Sequence, residues 1–161
     1  MNDTRIEFVN PAHFARPRGY ANGAVITGGR LLYVAGQIGW HADESFSTDD
    51  LAEQFGIALD NVLAVVQAAG GQATDIAEMT IYVTDLDAYR QNTKAVGQQW
   101  RTRLGKHFPA MALVGVAGLV HPQAKVEIQA VAALPLAGPA TDQSDTAHAT
   151  DPAQAADGGQ S

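Results

Sequence analysis

Six runs of β-branched and aromatic residues are set against only two helical stripes, and that imbalance limits what this chain can fold into. The runs are Arg5–Val9, Gly23–Thr27, Leu31–Gly36, Ala77–Thr84, Met111–Val116 and Lys125–Ala132. Gly28 and Gly29 between the second and third mark a hairpin turn. The first stripe follows Thr48-Asp49-Asp50, a capping triplet, with Leu51, Phe55, Leu59, Val62 and Val66 at helical spacing and Gly70-Gly71 as its stop. The second follows Asp85, with Tyr89, Thr93, Val96, Trp100 and Leu104 on one face and Gly105 at its end. The order is therefore β-β-β-α-β-α-β-β. It predicts an α+β fold, a single sheet with two helices on one face. Two helices cannot cover both faces. Val114, Val116, Val126, Ile128 and the hairpin strands leave apolar surface over, so the chain is expected to self-associate.

Residues 1–134 read as one domain. Residues 135–161 form an acidic tail rich in Ala, Asp and Gly; from Gly138 on it has no apolar periodicity, too little to offset the entropy of ordering, and it reads as disordered. Four of the seven net negative charges fall there, on Asp142, Asp145, Asp151 and Asp157. Nucleic-acid binding needs a basic footprint, and neither Arg16/Arg18 nor Arg101/Arg103/Lys106 amounts to one. No run is long enough to span a bilayer and no secretory leader pattern opens the chain, so no membrane partner and a cytoplasmic location are expected. The absence of cysteine removes disulfides and thiolate chemistry, and the five histidines lack metal-ligand spacing, so no metal is expected.

Glu127 is the only acid within the last two runs. Strand alternation turns Glu127 and Gln129 to one face and Val126 and Ile128 to the other. A carboxylate on a rigid strand can take a proton from an attacking water. It can equally lie on a solvated face or pair with Lys125. Gly36, between strand and loop, lets backbone approach a ligand closely, or is simply a strand-end glycine.

Five motifs in order carry a resemblance: Tyr33-Val-Ala-Gly-Gln-Ile38, Val66-Gln-Ala-Ala-Gly-Gly71, Met79-Thr-Ile-Tyr-Val-Thr-Asp-Leu86, Phe108-Pro-Ala110 and Lys125-Val-Glu-Ile-Gln-Ala-Val-Ala132. From about Gly19 to Ala132 the chain resembles the RidA (YjgF) family of reactive-intermediate deaminases. The resemblance implies a chorismate-mutase-like fold and a homotrimer with a small-molecule ligand in each intersubunit cleft. It also implies hydrolysis of enamines and imines with release of ammonia and no cofactor. On that basis Glu127 and Gly36 are the catalytic candidates, and Tyr20, Met111, Leu113 and Trp40 the substrate-binding ones. Three of these also have a plainer reading: Tyr20 as a sheet-edge tyrosine, Met111 as ordinary interface packing, Trp40 as a partly buried loop residue. The departures bear on substrate. Where active members read Pro-Ala-Arg-Ser, this chain reads Pro109-Ala110-Met111-Ala112. Methionine cannot grip a carboxylate as a guanidinium does, and losing such a clamp costs ~2–5 kcal/mol. Poor handling of the common 2-imino acids is expected unless another cation, Arg18 or Arg101, takes over. A non-catalytic, trimeric small-ligand-binding module is the alternative. A ribonuclease activity, historically attached to the family, fits the acidic balance least.

Overall fold

The structure, a computed structural model, describes residues 4–136. The disordered reading of residues 138–161 concerns a segment outside the described residues. Strands β1 (Arg5–Val9), β2 (Gly23–Thr27) and β3 (Arg30–Ile38) lead into helix α1 (Leu51–Ala68). Strand β4 (Ile76–Val83), helices α2 (Leu86–Gln91) and α3 (Thr93–Leu104), and strands β5 (Ala110–Gly115) and β6 (Val126–Leu134) complete it.

The caps fall where the sequence puts them. The Asp50 carboxylate accepts from the Glu53 N–H at the head of α1, and that of Asp85 accepts from the Ala88 N–H at the head of α2. Gly70 and Gly105, both at positive φ, follow α1 and α3. The second helical segment is not one helix but two. Asn92, with ψ near 13°, closes α2 and opens α3, and its own side chain donates to the Ala88 carbonyl.

The single sheet expected from the sequence is instead a four-stranded sheet, in the order β3-β6-β4-β5, and a separate β1–β2 ribbon. The turn at Gly28-Gly29 is present, with φ of +71° and +78°, but β2 and β3 are not ladder partners. Gly29 is wedged against the Leu134 carbonyl and Thr4, where no side chain would fit. That contact delivers β3 to the edge of β6, while β2 pairs with β1. The ribbon ties to the sheet through Thr4, whose hydroxyl donates to the Leu134 carbonyl at 3.2 Å, and through a bridge between Ala21 and Ala110.

Both long helices cover one face. Phe55, Leu59, Val62 and Val66 of α1 and Val96 and Trp100 of α3 pack with Met79, Ile81, Val126 and Ile128 in one core. Val126 and Ile128 are thus under the helices and do not contribute to a bare face. The opposite face keeps apolar side chains in the open: Tyr33 is 73% exposed, Leu31 52% and Val114 41%.

Candidate functional site

Strand register decides which candidates share a face. On β6, Glu127 stands between Val126 and Ile128, both fully buried under the helices, so its side chain leaves by the open face. It is the partner of Ile38 on β3 and of Tyr82 on β4. One extra residue is inserted in β3 between Val34 and Gln37, a bulge that contains Gly36. The Glu127 carboxylate lies directly over that glycine, in the space a Cβ at Gly36 would occupy. The pairing of Glu127 with Gly36 is therefore a local geometric fact. Glu127 is half-buried and has no hydrogen bond or ion pair among the described residues, so it does not pair with Lys125.

The backbone under Glu127 is fixed by a residue that sequence reading missed. Gln54, on α1, is fully buried. Its Nε2 donates to the carbonyls of Thr48 at 2.9 Å and Gln123 at 3.1 Å, and its Oε1 accepts from the Lys125 N–H at 2.8 Å. The start of β6 is thereby fastened to α1 two residues before Glu127. Asn61, further along α1, donates to the carbonyls of Ile38 and Trp40, both at 3.0 Å, and so holds the segment beyond the bulge. No sequence signal marks either residue, because a glutamine or asparagine in a helix ordinarily faces water.

Met111 and Leu113 lie elsewhere. Met111 is in register with the buried Met79, and Leu113 with Ile81, so both point to the helix side of the sheet. There they border a cleft of about 340 Å³ between β5, α2–α3 and the segment at Arg18-Gly19. Trp100 and Phe108 stack in its wall, with parallel rings 5.9 Å apart. Tyr89 also lines it, and burial pushes its phenol above the usual range, leaving it a neutral donor at ordinary pH.

The remaining candidates join neither group. Tyr20 is 41% exposed, beside the Ala21 bridge, and does not line the cleft. Trp40 packs edge-on against His121, with ring centroids 6.1 Å apart, in a loop cluster completed by Phe46. Within one subunit Glu127 and Gly36 thus lie on one face of the sheet, Met111 and Leu113 on the other, and Tyr20 and Trp40 apart from both, rather than in one pocket. Among the described residues no group of acidic and histidine side chains gathers to hold a metal, and no helix is long and apolar enough to cross a membrane.

The chain is thus of the α+β class, with its long helices on one face of a mixed sheet, a strand-borne carboxylate over a bulge on the other and a cleft beside the edge strand. Within that class the chain belongs to the YjgF/RidA family: residues 13–134 match the family model described as Endoribonuclease L-PSP. The chain is 35% identical over 104 residues to the 2-iminobutanoate/2-iminopropanoate deaminase of Escherichia coli K12, covering 65% of this chain and 80% of that protein. Among solved structures it is similar to the Rid-family protein YyfB of Yersinia pestis, with 28% identity and a TM-score of 0.73 over 83% of this chain and 100% of the other. It is also similar to E. coli TdcF crystallised with bound serine, with 29% identity and a TM-score of 0.57 over 73% and 90% of the two chains.

Proposed function

We propose that this protein is a cofactor-independent deaminase that hydrolyses an enamine or imine other than the common 2-imino acids. The observation that carries the reading is the Glu127 carboxylate, unpaired among the described residues and held over the Gly36 bulge on a rigid strand. In the proposed step, water adds to the imine carbon and Glu127 takes its proton. Glu127 returns that proton to the nitrogen, giving the carbinolamine, and then carries the hydroxyl proton to the nitrogen as the C–N bond breaks, so that ammonia leaves and the carbonyl forms. Backbone groups at Gly36 hold the water or the nitrogen. The relative named as an iminobutanoate/iminopropanoate deaminase supports the reaction class.

The active assembly in this reading is a homotrimer. Glu127 and Met111 leave the sheet by opposite faces, so one subunit cannot close a site around both. A neighbour seated on the exposed Tyr33, Leu31 and Val114 face brings its own half of the cleft to the other half. The small-molecule ligand then lies between subunits. Met111, which supplies no charge for a substrate carboxylate, favours a second reading, a ligand-binding trimer that does no chemistry. Net charge of −7 and the lack of a basic cluster weigh against RNA as substrate.

The experiment that separates the first two readings is semicarbazide trapping with an amino-acid oxidase as the source of a panel of imines. Wild-type protein is expected to compete with trapping for at least one imine. Glu127→Gln, which keeps the shape and loses the base, is expected to be slower by roughly 10²-fold or more. Equal rates for the two proteins would remove Glu127 from the chemistry, and no competition by the wild type for any imine would leave the binding module as the better account.

A further inference from the structure

The cleft beside β5 lacks the strand-borne arginine, yet its rim is cationic. Arg18 and Arg101 both line it, from the loop before β2 and from α3. Neither is engaged with a carboxylate among the described residues, and in this they differ from Arg103, which is locked to Asp60 through Nε and Nη2, both at 2.7 Å. Each is brought to the rim by a local device. The Arg101 guanidinium lies across Gly97, one turn earlier on α3; a methyl there would stand 3.3 Å from its Nη1. Arg18 sits just before Gly19, which turns the chain at φ +78°. That turn is pinned to the start of β5: the Ala21 N–H donates to the Pro109 carbonyl at 3.0 Å, two residues short of Met111. Both side chains border the same apolar cleft, so an anion seated at its rim has two guanidinium groups as donors.

We propose that Arg18 and Arg101 together form a relocated anion clamp, and that the cleft takes a carboxylate carried on an aromatic or branched apolar body. The carboxylate sits at the rim. The body enters between Met111, Leu113 and the Trp100–Phe108 stack, in a volume of about 340 Å³ that suits a small ligand. A methyl or ethyl side chain would leave that volume unfilled, so the short 2-imino acids gain little from it. The carbon next to the carboxylate then lies at the cleft mouth, where the proposed trimer brings a neighbouring Glu127. The substrate class follows only if this cleft belongs to the site proposed above; the recognition itself does not depend on turnover.

The test is calorimetric titration of the full chain with 3-phenylpropionate, its uncharged counterpart 3-phenylpropanamide, and propionate. The wild type is expected to bind 3-phenylpropionate at least about tenfold more tightly than either of the others, the scale of one charge-assisted hydrogen bond. In the Arg18→Gln/Arg101→Gln double variant the preference for acid over amide should vanish. The proposal is overturned if the wild type binds acid and amide alike, if it binds neither at millimolar concentration, or if the double variant keeps the preference. The acid–amide comparison needs only the wild-type protein, so it decides the matter even if the variant does not fold. A wild type that hydrolyses no imine in the trapping assay but shows the expected binding pattern would remove the deaminase reading and leave the clamp standing.

Discussion

At the scale of single residues, the Gly36–Glu127 pair makes the sharpest prediction. The φ of Gly36 is not in the left-handed region, so alanine meets no backbone objection there. The nearest atoms its Cβ would meet are Oε1, Cδ and Cγ of Glu127, on a flexible, half-buried side chain. Gly36→Ala should therefore leave the melting temperature within a few degrees while driving the carboxylate from its place. Turnover is expected to fall about tenfold or more, and the loss should not add to that of Glu127→Gln, since both remove the same group. Full additivity of the two losses would show that they act separately. Met111→Arg is the converse case. Its side chain packs against the core and borders the cleft, into which an arginine at this position would extend. Turnover of 2-iminopropanoate should rise roughly tenfold or more in the same trapping assay; no gain in a well-folded protein would separate β5 from substrate choice.

Among the elements, what holds β6 to α1 is polar. Gln54→Leu keeps the volume and leaves two carbonyls and one N–H without their partner, which should cost about 3 kcal/mol or more and lower the melting temperature by roughly 10 °C. Scanning calorimetry reads this directly, and a melting temperature near that of the wild type would mean that water replaces all three bonds. This residue also marks where the sequence stopped being informative. Its partners at Gln123 and Lys125 are 69 and 71 residues away, and nothing in a helical stripe announces them. The caps at Asp50 and Asp85 were legible because their partners are three residues off. The break at Asn92 was not, because the apolar spacing from Tyr89 to Thr93 and Val96 passes through it unchanged. The Gly28-Gly29 turn was likewise visible, but the turn does not name the strands that pair. Glu127 was readable as a strand-borne acid from alternation alone. That Met111 exits by the other face required the register of β5 against β4, and that register exists only in the folded sheet.

For the molecule as a whole, the exposed Tyr33, Leu31 and Val114 mark the sheet face on which the proposed trimer would close. Sedimentation equilibrium at micromolar concentration is expected to give three times the chain mass of 16.9 kDa. A mass of one chain would remove both the trimer and any site shared between subunits. Tyr33→Glu should weaken assembly without unfolding the subunit, because its side chain is mostly in water already.

The placement of Glu127 and Met111 on opposite faces of one sheet has a genetic corollary. In the proposed trimer each cleft draws one half from each of two neighbours. Take two inactive alleles: Glu127→Gln, and Gly97→Phe, which fills the cleft on the helix side. Where subunits of the two kinds adjoin, one orientation of the interface carries both lesions and the other carries neither. Co-expressing the two dead proteins should therefore regain activity that neither has alone, while mixing each with itself regains none.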